Sequence, residues 1–207
     1  VRGVYSDFAV ELPDDGVTDP STELYEGGIN AEHIWPQIMG ADSEPMKSDM
    51  HHLRPAKTNV NSARGNKPYN EITDIESDNW YWLDISTSEI PTNDVIDEYS
   101  EVNGSYFEPR EDRKGDIART VFYFYTMYPG SANAVFFLNQ KDILKTWHYE
   151  DPPNSDEIDR TWLIAEYQED KPNPFIVDFS LIDRAYFYDE NNVVDECGVC
   201  NGDGSIC

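Results

Sequence analysis

The body of this chain lacks cysteine. The 3 cysteines, Cys197, Cys200 and Cys207, all fall after residue 196, so no disulfide can form within the residues before them. Long apolar runs are also missing, and none approaches the roughly 18 residues that a membrane-spanning helix needs. Aromatic residues make up 13% of the chain, which excludes an acidic disordered chain and predicts a packed core. A length of 207 residues fits one domain, with or without an appendage.

Basic residues are scarce: 15 Lys and Arg face 41 Asp and Glu, giving a net charge of -26. Nucleic-acid-binding proteins normally present a basic surface, so the overall charge argues against such a ligand. The charge is uneven, because residues 50–70 contain no acid and carry the bases Arg54, Lys57, Arg64 and Lys67. This segment either pairs with surrounding acids or forms an anion site in an acidic shell adapted to high salt, where screening shortens the reach of surface charge.

Local patterns in the first half predict a small two-stranded unit followed by a helix. Residues 29–36 are typical of a short strand that ends at a proline. Residues 49–53 predict a second extended piece. Pro55 fits the first turn of a helix that runs to Arg64 and stops at Gly65.

The second half predicts mainly helices, with one possible strand at 80–85. One helix follows Pro109 with Asp112 as its cap, another covers 139–148, a third begins at Asn154 in a capping box, and a short one covers 179–187. The residues expected to face inward are Ile117, Val121, Phe124, Tyr128, Ile143, Leu144, Trp147, Ile158, Trp162 and Ala165. The elements together predict a mostly helical domain.

Residues 189–207 differ in kind, since they are rich in Gly, Asp and Cys and have little to bury. We therefore expect a domain over 1–188 and a separate tail. The tail is similar to the Cys-rich Asp/Gly repeats that resemble thrombospondin type 3 modules, and it is interpreted as the start of one. That resemblance implies disulfides, a Ca²⁺ site, or both, from Cys197, Cys200, Asp203 and Cys207, in an extracellular setting with no role in catalysis.

Several side chains between residues 32 and 64 suit metal-assisted chemistry. Carboxylate and amide oxygens are ligands for Mg²⁺, and a neutral His can take a proton from water near neutral pH. In a helix over 56–64, Lys57, Asn61 and Arg64 share one face. A phosphodiesterase needs this combination of metal, base and cations. The candidates are Glu32, His33, Asp49, His51, His52, Asn61 and Arg64.

The residues alone leave other interpretations open. Neighbours in a regular strand point to opposite faces, so Glu32 and His33 share one site only if the strand ends or twists there. The crowded histidines His33, His51 and His52 also suit a zinc-dependent hydrolase. A non-catalytic extracellular binding module is a further alternative, because an isolated Glu-His pair is usually only surface chemistry.

At these positions the sequence resembles the endonuclease I family, the secreted and periplasmic bacterial nucleases with a ββα-metal (His-Me finger) site. The resemblance covers roughly 29–187 and consists of several motifs in order. They are Asn-Ala-Glu-His-Ile-Trp-Pro-Gln at 30–37, Ser-Asp-Met-His-His-Leu-Arg-Pro-Ala at 48–56, Asn-Val-Asn-Ser-Ala-Arg-Gly-Asn at 59–66, Phe-Glu-Pro-Arg at 107–110 and Lys-Gly-Asp-Ile-Ala-Arg at 114–119. Trp147, Asp151-Pro152, Glu157, Arg160, Gln168 and Asn173-Pro174-Phe175-Ile176 complete it.

The resemblance implies an α+β fold, mostly helical around a ββα-metal core. It assigns His33 as general base and Glu32 and Asn61, with Asn66 as the alternative to Asn61, as ligands of one Mg²⁺. It also implies catalytic cations at Arg64 and Arg119, substrate-binding cations at Arg54, Lys57, Lys67 and Lys114, and orienting or structural roles for Asp49, His51 and His52.

The implied activity is hydrolysis of DNA, and in many members RNA, to 5′-phosphate products without sequence preference. That activity fits binding through phosphates rather than base edges. We expect a secreted, extracellular or periplasmic monomer without membrane contact. The chain departs from the family between His33 and Asp49, where better-known members carry a longer insertion with cysteines and an arginine.

Overall fold

The computed structural model describes residues 1–188 as an α+β fold. The predicted Ca²⁺ or disulfide residues of the tail, and the tail itself, lie outside this range. Within it, no helix combines the length and apolar character needed to cross a membrane. The helices are α1 (Pro20–Glu26), α2 (Thr58–Arg64), α3 (Lys114–Met127), α4 (Ala134–Leu138), α5 (Lys141–Glu150), α6 (Ser155–Ala165), α7 (Pro174–Val177) and α8 (Leu181–Tyr186). The strands are β1 (Ile29–His33), β2 (Leu53–Lys57), β3 (Asn79–Trp82), β4 (Ile85–Thr87), β5 (Ser100–Val102) and β6 (Phe107–Glu108).

The hairpin of β1 and β2 runs directly into α2. The strands are antiparallel, with Ile29 opposite Lys57 and His33 opposite Leu53. The predicted unit therefore exists, but its second strand is 53–57 rather than 49–53. Gly65 ends α2 as predicted, with φ 56° in the left-handed region that favours glycine.

The placement of Pro55 in the first turn of a helix was wrong. Pro55 lies inside β2, opposite Ala31, and its carbonyl accepts a hydrogen bond from the Val4 backbone N–H at 2.8 Å. A two-stranded sheet has free edges on both sides, so a residue without an N–H is tolerated there. The helix consequently starts only at Thr58.

A four-stranded antiparallel sheet in the order β4-β3-β5-β6 lies within residues 79–108. Only one strand, over 80–85, was predicted there. The observed chain reverses between β3 and β4 at Leu83, which has φ 49°. Strands of two to four residues are too short to display a clear alternation of polar and apolar side chains, which explains why the sheet was missed.

Helix α3 forms the centre of the hydrophobic core. The predicted stripe is confirmed, since Ile117, Val121 and Phe124 are fully buried. The helix packs against α5, whose Leu144 and Trp147 are also buried, as predicted. The predicted cap at Asp112 was wrong, because a 3-10 turn precedes α3 and its N-cap position makes no side-chain hydrogen bond.

Helix α6 begins as predicted, and Ala165 is buried as predicted, but the rest of the buried face differs from the expected one. The Asn154 side chain caps it by accepting a hydrogen bond from the Glu157 backbone N–H at 3.0 Å. Ile158 and Trp162, expected inside, are 41% and 50% exposed. The buried face instead carries Glu157 and Thr161, because Glu157 forms an ion pair with Arg119 in the interior.

The connection between β1 and β2 is held against the segment after α3. Gly40 has φ 116°, and a Cβ built there would lie 2.0 Å from the Ser131 carbonyl oxygen. The neighbouring Met39 carbonyl accepts a hydrogen bond from the Asn133 backbone N–H at 3.0 Å. This close approach requires the residue without a side chain.

We predict that Gly40→Ala lowers the free energy of unfolding by at least about 2 kcal/mol, because it adds both backbone strain and a clash with main chain. Gly104→Ala is the matched control, since a Cβ at Gly104 meets nothing within 4 Å. Urea unfolding of both variants measures the difference. Equal stability of the two variants would contradict the close packing at Gly40.

Candidate active site

The end of β1 and the second half of α2 enclose a polar pocket of about 230 Å³. Glu32 and His33 both line it, because β1 ends at His33 and the chain turns there rather than continuing its alternation. The condition for a shared site is thus met. The lining residues are Ala31, Glu32, His33, Pro36, Gln37, Asn61, Arg64, Gly65 and Asn66.

The Glu32 carboxylate lies buried at the base of this pocket. Its Oε1 accepts a hydrogen bond from the Tyr5 hydroxyl at 2.7 Å and lies 3.3 Å from Arg64 Nη1. Burial raises the pKa of Glu32, while the charge of Arg64 and the hydrogen bond from Tyr5 act in the opposite direction. Both contacts fall on Oε1, so Oε2 retains the capacity to bind a ligand.

The Asn61 amide is oriented by its neighbours on β1. Its Nδ2 donates to Asn30 Oδ1 at 2.8 Å and to the Ala31 carbonyl at 3.3 Å. Since the nitrogen of the amide makes both contacts, the oxygen Oδ1 is the atom left to accept a ligand. Asn66 also lines the pocket but is exposed on the turn after α2, and it stays the alternative ligand.

His33 is held in one tautomer. Its Nε2 lies 3.0 Å from the Lys47 carbonyl, which can only accept, so Nε2 carries the proton. The lone pair is then on Nδ1, with the Gln37 amide nitrogen 3.3 Å away. Burial, followed by the positive charges of Lys47 and Arg64, lowers the pKa of His33 against the hydrogen bond to Lys47. The ring is therefore neutral at pH 7 and can accept a proton.

Arg64 lines the pocket, but its side chain is buried there. The side chain is 1% exposed and both Nη1 and Nη2 are engaged, whereas Nε has no hydrogen-bond partner among the described residues. Nη2 donates to the Ile34 carbonyl at 2.7 Å, and Nη1 donates to the carbonyls of His33 and Gly65 at 3.2 Å each. Arg64 therefore positions Glu32 and the end of β1.

Arg119 and Lys114, which the resemblance implies as catalytic and substrate-binding cations, both pair with carboxylates of this chain. Arg119 is fully buried, with Nε 2.9 Å and Nη2 2.6 Å from the two carboxylate oxygens of Glu157. Lys114 Nζ lies 2.6–2.9 Å from the carboxylates of Glu71, Glu108 and Glu111. Neither side chain lines the pocket. Both cations neutralise acids in the interior.

The remaining cations of residues 50–70 differ in whether a carboxylate of this chain pairs with them. Lys57 pairs with Asp84, so it does not share the pocket with Asn61 as expected. Arg54 Nη2 is 3.8 Å from Asp116. Lys67 donates to the Ala63 carbonyl at 2.8 Å and has no carboxylate partner within residues 1–188. The basic segment thus largely pairs with acids.

Asp49, His51 and His52 do not line this pocket. Hydrogen bonds from Tyr123 at 2.8 Å, Tyr128 at 2.7 Å and Gln168 at 2.9 Å converge on the Asp49 carboxylate. Burial alone would raise the pKa of Asp49, but these hydrogen bonds lower it. The Asp49 carboxylate therefore ties the loop before β2 to α3 and to the segment after α6.

The two histidines that follow Asp49 donate to backbone carbonyls. His51 Nε2 lies 2.9 Å from the Lys171 carbonyl, and His52 Nε2 lies 2.6 Å from that of Met46. Across residues 1–188, no three His, Cys, Asp or Glu side chains are grouped so that they could hold a metal ion. This arrangement disfavours the zinc site considered for His33, His51 and His52.

Sequence reasoning missed Tyr5, Gln37 and Lys47. Tyr5 lies before the first element that was predicted, and its contact with Glu32 spans 27 residues of sequence. Gln37 ends the first family motif, which was a usable signal. Lys47 contributes its carbonyl to His33, a role that no side-chain pattern can reveal.

Comparison with known proteins agrees with the motifs. The family model Endonuclease I matches residues 4–179. The extracellular ribonuclease of Bacillus subtilis (strain 168) is 31% identical over 170 residues, covering 72% of this chain and 51% of that protein. The extracellular ribonuclease of Bacillus amyloliquefaciens is 30% identical with the same coverage. The chain spans about half the length of the curated relatives it matches.

We predict that Arg119→Met lowers the free energy of unfolding by about 3–5 kcal/mol, since it leaves the Glu157 carboxylate buried without a counter-charge. The exposed ion pair of Arg2 with Asp7 supplies the control, and Arg2→Ala should leave Tm near that of the wild type. Thermal unfolding measures both. Unchanged stability of Arg119→Met would restore a role for Arg119 outside the interior.

Proposed function

The chain belongs to the endonuclease I family, and from that premise we propose that it hydrolyses phosphodiester bonds of nucleic acids outside the cell. The extracellular address is supported by the names of the two Bacillus relatives. Those names also support RNA, in addition to DNA, as a proposed substrate. The observation that carries the proposal is the presence of Glu32, His33 and Asn61 in one pocket.

We propose that Glu32 Oε2 and Asn61 Oδ1 hold one divalent cation, with Mg²⁺ favoured because both ligands are hard oxygens. The fit is supported by hydrogen bonds that engage Glu32 Oε1 and Asn61 Nδ2 and leave the partner atoms for a ligand. A cation would also stabilise the ionised form of the buried Glu32 carboxyl. When bound, the cation supplies charge neutralisation and Lewis-acid polarisation at a phosphate oxygen.

His33 acts as the general base in this proposal. Its Nδ1 takes a proton from the attacking water, while Nε2–H holds the Lys47 carbonyl and keeps the ring in place. The resulting imidazolium is close to the charge of Arg64, which raises the cost of protonation before substrate arrives. The developing negative charge on the phosphate offsets that cost.

Substrate phosphates are met by cations without an internal carboxylate partner. Lys47 and Lys67 have no ion pair within residues 1–188, and each lies beside a residue of the site: Lys47 contacts His33, and Lys67 follows Asn66. The net charge of -26 repels nucleic acid beyond this local region. Salt screens that repulsion over a Debye length of about 8 Å at 0.15 M ionic strength.

We predict that His33→Ala and Asn61→Ala each lower the rate of nucleic-acid cleavage by about 10²–10⁴-fold with folding intact. Wild-type activity should depend on Mg²⁺ and disappear with EDTA. Asn59→Ala, on the exposed first turn of the same helix, is the matched control and should cleave at the wild-type rate. Plasmid nicking and RNA degradation with each variant provide the readout.

Three outcomes would contradict the proposal in different places. Activity that survives chelation would remove the divalent cation. Full activity of His33→Ala would remove its role as base. Absence of cleavage by the wild type across metals and salt concentrations would favour a non-catalytic binding module.

The pH dependence follows from His33. Burial sets its pKa below the ordinary 6.5, so the base is neutral above that value and is lost as the pH falls through it. We predict that kcat is constant near pH 7 and falls on the acidic side with a midpoint below 6.5. The measurement needs saturating Mg²⁺, which keeps Glu32 ionised. An acidic midpoint above 6.5 would contradict the stated environment of His33.

A further inference from the structure

A second depression lies beside the candidate active site, between α1 and the hairpin of β1 and β2. It has a volume of about 440 Å³, within the size range of small-molecule pockets, about 300–1,000 Å³. Although the chain is strongly acidic, no carboxylate lines this groove, and its one charged residue is Arg54. The lining residues are Ser21, Leu24, Tyr25, Ile29, Asn30, Ala31, Leu53, Arg54 and Pro55.

The groove adjoins the candidate active site at β1. Ala31 lines both depressions. Asn30 lines the groove, and its Oδ1 accepts the hydrogen bond from Asn61 that orients the proposed metal ligand. The two depressions therefore share a wall on β1, and a nucleotide whose phosphate lies at Asn61 is adjacent to the groove.

The walls of the groove suit the face of an aromatic ring. Tyr25 is 78% exposed although it borders apolar side chains of Leu24, Leu53 and Pro55. Helix α1 has no buried residue, so the core does not require an aromatic side chain at this position. Exposed aromatic side chains next to a backbone-binding site are platforms on which unpaired bases stack.

Arg54 supplies a polar contact that the fold leaves unused. Its side chain is only 10% exposed, and the nearest carboxylate oxygen, from Asp116, is 3.8 Å away. Its buried Nε has no hydrogen-bond partner among the described residues. Arg54 also lines a neighbouring depression on the Asp116 side, so its side chain must rotate toward the groove before a base edge or phosphate oxygen can satisfy the costly unpaired donor.

We propose that this groove binds one unpaired nucleobase adjacent to the scissile phosphate, stacked on Tyr25 and contacted by Arg54. The inference rests on the proposed function and adds a preference for single-stranded substrate. In a duplex the bases are stacked on each other and paired, so a base enters such a groove only from a single strand or after unpairing.

The test compares Tyr25→Ala with Tyr25→Phe on labelled single-stranded and duplex oligonucleotides in Mg²⁺. Loss of the ring should raise KM for the single strand about 10-fold with kcat retained, whereas Tyr25→Phe should stay near the wild type. Cleavage of the duplex should be unaffected by either change. Tyr106→Ala, in the turn between β5 and β6, is the control for removing an exposed tyrosine.

A substrate with a single abasic nucleotide tests which base of the substrate occupies the groove. The wild type should avoid the linkage beside the abasic position, and Tyr25→Ala should cut that linkage and its neighbours alike. Equal KM values of Tyr25→Ala and wild type, or wild-type cleavage indifferent to the abasic position, would overturn the groove while leaving the proposed function intact. Failure of the wild type to cleave any substrate would instead overturn the proposed function.

Discussion

The buried ion pair between Arg64 and Glu32 links the fold of this protein to its candidate active site. Arg64 belongs to α2 and Glu32 to β1, and the guanidinium also binds the carbonyls of His33, Ile34 and Gly65. A buried ion pair is tolerated when further hydrogen bonds support it, and these carbonyls and the Tyr5 hydroxyl supply such bonds, although Arg64 Nε has no partner among the described residues. The pair thereby fixes the angle between hairpin and helix that brings Asn61 to the same pocket as His33.

The pairing of individual cations is more informative about a ligand than the net charge of the chain. Residues 50–70 carry only bases, yet Arg64 pairs with Glu32 and Lys57 pairs with Asp84. The acid-free segment is therefore largely paired with acids of this chain, and the case for a nucleic-acid ligand depends on the geometry of the pocket. Lys47 and Lys67, which lack such partners within residues 1–188, become the proposed phosphate contacts.

Much of the site was predictable because its residues lie in short sequence motifs. Glu32 and His33 are adjacent, Asn61 follows in a recognisable motif, and Asn154 caps α6 as its capping box indicates. The apolar stripe of α3 was equally predictable, because a 14-residue helix repeats its pattern over several turns. The prediction that Glu32, His33 and Asn61 share a site agrees with their common pocket, while their chemical roles remain proposals.

The predictions that differ from the structure share one cause. At these positions, contacts with residues distant in sequence determine the local structure. Arg119 stands in a family motif, but Glu157, 38 residues away, fixes its role in the interior and turns α6 so that Trp162 faces outward. Pro55 reads locally as a helix start, yet pairing with β1 makes it part of a strand. The four-stranded sheet consists of segments whose pairing, rather than composition, defines them.

The central claim is that Glu32 and Asn61 together hold a divalent cation beside His33. A crystal structure with Mn²⁺ in place of Mg²⁺, examined by anomalous scattering, tests it directly. We expect a peak at about 2.1 Å from both the Glu32 carboxylate and Asn61 Oδ1. A metal peak on other residues would contradict this claim. So would the absence of a peak at this pocket in crystals of protein that still cleaves nucleic acid.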